Sequence, residues 1–276
     1  MEEKLSGITH WVNHLFGPLA LSLLHALRIQ PADYDAPIPE YVVMSLIVLV
    51  VGTLIALILR ARLSVDRPGA LQQTAELLLT NPMGFGIKDL LEENVGHEGD
   101  KFIAFTGSVS IFILLANLLS IFPAFSSPTG NAVVPLACAI LTFIYFNWQG
   151  IRHHGPGHYI LTFAGSPKQV GDWALAILLL PVELISTTAR LLSLTVRLWA
   201  NIFASDLIYM IFLALLLGPA EWAWKKNPFL GVAIGIFPAV FPIVFIGLHI
   251  FVSVIQAYIF TVLPSIYLGL ATADEH

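Results

Sequence analysis

Charge is what this chain has least of. Asp, Glu, Lys and Arg together make up 11% of its 276 residues, where a soluble domain carries about 25%. Hydrophobic residues reach 57%, and the mean hydropathy is +0.82. An ordinary soluble domain is excluded, and the apolar runs override length as a guide to domain count. The net charge of −5 is spread thinly, so no basic patch offers itself to nucleic acid. Cysteine is nearly missing as well. Cys138 stands alone in an apolar run, which rules out an intrachain disulfide and argues against a thiolate metal site. His153 and His154 are adjacent, but loop neighbours without a carboxylate or thiol rarely chelate. A hydrated loop is expected there, with no metal and no cofactor. A signal peptide is poorly matched. MEEKLSG carries two acids and one lysine, and the next apolar stretch is broken by His14, Gly17 and Pro18, so the N-terminus is expected to be retained. No solenoid-type repeat is visible.

What is present is a succession of long apolar segments. They predict an all-α, polytopic membrane protein, a single integral domain over 1–276 with about five crossings and amphipathic surface helices. Residues 8–29 read as a partly amphipathic helix at the interface. Pro31, Asp33, Asp35, Pro37 and Pro39 then make a loop, so 1–40 is expected to be an interfacial segment. Tyr41–Leu59 is free of charge and long enough to span, and Arg60, Arg62 and Arg67 follow it. Basic residues mark the cytoplasmic end, which puts the N-terminus outside.

Residues 60–101 read as a cytoplasmic amphipathic loop. Pro68 can open a helix through Leu79, and Asn81-Pro82 with Gly84, Gly86 and Gly96 breaks it. Glu76, Lys88, Asp89, Glu92, Glu93, Glu98 and Asp100 fit a solvated surface. Phe102–Phe122 crosses outward, Pro123–Asn131 turns, and Ala132–Trp148 returns to Arg152, His153 and His154. Asp172–Leu217 would be a helix of roughly 69 Å, over twice the membrane core, and Pro228–Leu270 is similar. Pro219, Glu221, Lys225, Lys226 and Pro228 punctuate the turn between them, although two lysines outside go against the charge rule. Helices this long must tilt or bend, with Pro238, Pro242 and Pro264 as bend points. A tilted hairpin over 172–270 suits lying along another membrane assembly. Five crossings leave Asp274-Glu275-His276 inside.

One segment breaks the apolar pattern. ELISTTARLLSLTVRLWANIFASD, from Glu183 to Asp206, carries Glu183, Ser186, Arg190, Ser193, Arg197 and Asn201 within roughly 40° of Arg197 at about 100° per residue. Asp206 points to the opposite side. A charge at the bilayer centre costs about 2.5–3.5 kcal/mol on insertion scales. Arg190 and Glu183 could snorkel, but Arg197 is midway along its segment. Either it pairs internally, with Asp206 or another carboxylate, or it belongs to an ion pathway. A second polar set lies on the last segment, where His249, Ser253 and Gln256 share a face. Asp206 with His249 can pass protons near neutral pH, and Gln256 can solvate a guanidinium or hold water. Asn117 with Ser120 can line the same path, although core hydrogen bonding explains Asn117 equally well.

Two other function classes fit less well. A secondary transporter should show repeats and broken helices around a midplane site. An intramembrane hydrolase could use His249 and Ser253, but no GxSxG context accompanies them.

SLTVRLWANIFASDLI, preceded by PVELIS and followed by HIFVSVIQAYIFTVLPSIYL, resembles subunit a of the F-type ATP synthases, the stator half of a membrane ion channel. The similarity runs from about Tyr41 onward and includes the NLLSIFP…PTGN turn. The resemblance implies a non-catalytic, proton-translocating subunit of a bacterial plasma membrane. Its partners would be c-ring subunits, subunit b, other synthase subunits and lipid. Arg197 matches the arginine that faces the c-ring carboxylate, with Asn201 and Gln256 as its polar neighbours. Asp206 and His249 match the outer half-channel. Glu183, Ser186 and Arg190 match the inner one, and Asn117 matches a family asparagine. Ser120 stands where an acid occurs in the family, and Val133 and Pro135 replace polar residues after the turn.

Overall fold

The computed structural model describes residues 6–31, 33–82, 84–122, 125–163, 165 and 172–272. Side chains at 97, 160, 162–163, 172–174, 209, 213, 215–217, 220–221, 228 and 230–243 lie outside that description. The described residues hold helices and loops only. They comprise α1 (Gly7–Ala26), α2 (Glu40–Ala61), α3 (Ala70–Leu79), α4 (Ile87–Val95), α5 (Ile103–Leu119), α6 (Val133–His154), α7 (Pro156–Phe163), α8 (Asp172–Lys226) and α9 (Pro228–Thr272). Five stretches are long and apolar enough to cross a membrane: Glu40–Ala61, Glu98–Leu119, Val133–His154, Leu175–Phe212 and Val244–Thr272. The predicted all-α, five-span architecture is observed.

Local chemistry sets the helix ends. Ser6 caps α1 by accepting from the Thr9 N–H, and Asn13 ties the following loop down with side-chain bonds to both Ile38 N–H and Ile38 C=O. The basic residues Arg152, His153 and His154 fill the last turn of α6, where they complement the carbonyl end of the helix dipole. Gly155 at φ 79° then ends it, a conformation that other residues adopt only with strain.

α9 is the spine. It packs along α8, α5, α4 and α6, while α2 leans on α5. One core cluster sits near the basic ends of α2 and α6 and joins Ile87, Leu91, Phe102, Phe146, Tyr159, Leu268 and Ala271. A second, midway along, joins Ile113, Cys138, Ala139, Leu194, Leu198, Ile202 and Phe260. Leu194, Leu198 and Ile202 recur every fourth residue, so one face of α8 is committed to this core.

Two features depart from the sequence reading. α8 does not turn at Pro219 but continues through it to Lys226. Proline removes one backbone hydrogen bond, and near a helix end that loss is small. Trp222 and Trp224 are exposed there, with Lys226 Nζ 4.3 Å from the Trp222 ring centroid. Paired tryptophans of this kind sit at membrane interfaces, which accounts for two lysines at that end. Second, the 60–101 segment holds two helices, and α4 is not merely solvated. Its Ile87, Leu90 and Leu91 are buried, and Asn94 Nδ2 donates to Ser265 Oγ on α9 at 3.1 Å. The side chains of Pro238 and Pro242 lie outside the described residues, and the helical backbone runs through both positions. Pro264 is buried within α9. Asp274, Glu275 and His276 also lie outside the described residues.

Candidate functional site

α8 divides its polar stripe along its length. Glu183, Ser186 and Arg190 are partly buried, whereas Ser193, Arg197 and Asn201 are exposed. Arg190 Nη2 lies 3.6 Å from Glu183 Oε1, and its guanidinium carbon sits 5.3 Å from the centroid of Tyr267 on α9. Thr142, Thr187, Arg190 and Tyr267 share the lining of a mostly apolar pocket of about 10 Å³ between α6, α8 and α9 with Phe143, Phe146 and Leu191. Arg197 has no ion pair or hydrogen bond among the described residues. An internal pair with Asp206 is not formed, because nine residues of helix turn the two side chains to opposite sides.

A second polar group lies where α5, α8 and α9 meet the turn at 125–131. His249, Ser253 and Gln256 are all buried, as the shared face predicts. His249 Nε2 is 2.9 Å from the Asn117 carbonyl and 3.0 Å from Ser120 Oγ. Its Nδ1 is 2.8 Å from Ser205 Oγ. A carbonyl only accepts, so Nε2 carries a hydrogen, and the Nδ1 of a neutral ring accepts from the Ser205 hydroxyl. When Nδ1 gains a proton, the same hydroxyl can rotate and accept. His249 is thus satisfied in both protonation states, which suits a proton carrier.

The cluster continues into the turn. Thr129 Oγ1 donates to Asn117 Oδ1 at 2.5 Å, and Ser127 Oγ lies 2.7 Å from Thr129 Oγ1. Asp206 faces this turn from α8. A methyl group added at Gly130 would sit 3.6 Å from Asp206 Oδ2, so the missing side chain leaves the approach to the carboxylate open. Asp206 does not bond His249 directly; Ser205 holds that place. Ser253 Oγ donates to the His249 backbone carbonyl at 2.7 Å rather than to its ring, so the two do not form a nucleophile–base pair. Asn117 Nδ2, Gln256 Oε1 and Thr106 Oγ1 are buried without a hydrogen-bond partner among the described residues. Such atoms are uncommon in cores, and all three lie on α5 and α9.

Sequence reasoning therefore located Asn117, Ser120 and His249 together, but missed Ser205, Thr129 and Tyr267. Ser205 had a usable signal, since it neighbours Asp206. Thr129 had none beyond its place in the turn.

A family model described as ATP synthase A chain matches residues 42–269. The chain belongs to the ATP synthase A chain family. It is 43% identical over 240 residues to ATP synthase subunit a of Solibacter usitatus (strain Ellin6076), a match covering 87% of this chain and 90% of that one. It is 36% identical over 265 residues to ATP synthase subunit a of Koribacter versatilis (strain Ellin345), covering 95% and 94%. A third relative, ATP synthase subunit a of Desulfosudis oleivorans, is 33% identical over 209 residues, or 76% of this chain and 78% of that one. Membership, with five candidate spans, makes this chain a multi-pass membrane component of the ATP synthase.

Proposed function

We propose that this chain is the non-catalytic, proton-conducting stator subunit of an F-type ATP synthase membrane sector in a bacterial plasma membrane. Its N-terminus lies outside and its C-terminus in the cytoplasm. The carrying observation is Arg197, a charge midway along a spanning helix, exposed on the α8 surface with no ion pair or hydrogen bond among the described residues. A cation placed so is costly in lipid and makes sense against an acidic partner. The partner proposed is the carboxylate of a rotating c-ring, with the hairpin over 172–270 facing that ring and subunit b completing the stator. The segment over 60–101 lies on the cytoplasmic side, and the segment over 1–40 outside.

In this reading protons enter beside Asp206 and His249, with Asn117, Ser120 and Ser253 lining the way and Gln256 and Asn201 near its end. The c-ring carboxylate takes the proton and turns into lipid as a neutral acid. It gives the proton up near Glu183, Ser186 and Arg190. Arg197 attracts the ionised carboxylate and blocks direct leakage between the two openings. That duty needs a group that stays charged away from water, and a buried lysine loses its proton readily where arginine does not. The membrane potential supplies about 2.3 kcal/mol per charge per 100 mV, which the offset openings convert into rotation. Arg197→Lys should abolish ATP-driven proton pumping in inverted vesicles while the complex still assembles. Normal pumping by that variant would sink the assignment.

A further inference from the structure

The turn at 125–131 is approached by a second acid. α2 begins at Glu40, just after the proline-bounded loop, and α2 packs against both α5 and this turn. Glu40 is 8% exposed, and Ser126 Oγ donates to its Oε1 at 2.6 Å. The next residue, Ser127, starts a line of hydrogen bonds. Its hydroxyl meets Thr129 Oγ1 at 2.7 Å, and Thr129 donates to Asn117 Oδ1. Asn117 in turn accepts from His249 through its backbone carbonyl, and its Nδ2 is buried without a partner among the described residues. Asp206 faces the same turn from α8. Two carboxylates on different helices therefore flank one hydroxyl-rich turn, whose Thr129 bonds the Asn117 side chain while His249 bonds the Asn117 backbone carbonyl. Burying a carboxylate is costly unless it is bonded or neutralised.

We infer that Glu40 is a proton-collecting carboxylate at the outer mouth, a second acid that feeds the His249 cluster beside Asp206. The inference rests on the proton-conducting reading above. In each passage the carboxylate takes one proton from outer water and releases one into the cluster, returning to its anionic form. An anchoring role predicts something different, because an amide at this position still accepts the Ser126 hydrogen bond but does not carry a proton.

The test uses the membrane sector with its c-ring, reconstituted in liposomes under a potassium diffusion potential. Proton entry is followed with a pH-sensitive dye, and subunit recovery is measured alongside. Glu40→Gln should cut the flux about tenfold, at the lower end of what a charged mouth contributes to capture rates, with all subunits retained. Glu40→Asp should recover most of the flux. Wild-type flux in Glu40→Gln would overturn the inference. So would failure of Glu40→Gln to assemble, since that makes Glu40 a structural anchor. A wild-type sector that conducts no protons would instead remove the proton-conducting reading itself.

Discussion

At the scale of single residues, the chemistry open to His249 is set by what touches each ring nitrogen. Nε2 donates to a carbonyl that cannot exchange roles. Nδ1 faces the Ser205 hydroxyl, which can. Removing that hydroxyl leaves a buried ring nitrogen without its partner, a loss of about 1–3 kcal/mol. Ser205→Ala should therefore slow proton flux about tenfold or more while assembly persists, since 1.4 kcal/mol is a factor of about ten. Ser205→Thr should keep most of the flux. Unchanged flux in Ser205→Ala would show that protons do not pass through Nδ1. The helical period made His249, Ser253 and Gln256 legible as one buried face. It could not show that Ser205 rather than Asp206 would reach the ring, because that depends on how α8 and α9 are rotated against each other. The same limit applies to Arg190, whose approach to Tyr267 joins residues far apart in sequence.

At the scale of elements, α4 is the main addition to what the sequence showed. Five acidic or basic side chains between Lys88 and Glu98 made the segment read as solvated, and on one face it is. Lys88 lies 3.6 Å from both Glu92 and Asp100 on an exposed surface, where Asp100, then Glu92, raises its ammonium above the usual lysine range. The other face carries Ile87, Leu90 and Leu91 into the α9 core. A three-residue apolar face on a nine-residue helix is too short to stand out from a charged background. The docking depends on Gly269, because a methyl group there would overlap the Asn94 carbonyl and then the Asn94 carbonyl carbon. Gly269→Ala should detach α4 from α9 and speed proteolysis within 60–101 in membranes, and Leu91→Ala should act in the same direction through a cavity cost of about 2–5 kcal/mol. If both variants resist protease as well as wild type does, α4 is held by something other than α9. The first two spans were readable to within four residues at each end, because charge is scarce there and Arg60 and Lys101 stand close to their ends.

At the scale of the whole molecule, the proposed reading makes the exposed face of α8 one side of an interface. α5 and α6 each bury 39% of their crossing stretch, but α8 buries only 11%. Lipid can cover the apolar part of that exposed surface. It covers Ser193, Arg197 and Asn201 only at a high cost, so the polar part calls for a second protein. The core face of α8, with Leu194, Leu198 and Ile202, is turned toward α5, α6 and α9, and the two faces differ by about 100°. That difference gives a directional test of the whole arrangement. In a background lacking Cys138, which is buried and free, Ser193→Cys and Asn201→Cys should form disulfides with a cysteine placed beside the c-ring carboxylate. Leu194→Cys and Ile202→Cys should not, although each is one residue away. Cross-linking from both faces would mean that α8 rotates or unpacks. Cross-linking from the Ile202 face alone would turn Arg197 away from the ring, and with it the reason for an exposed arginine midway along a spanning helix.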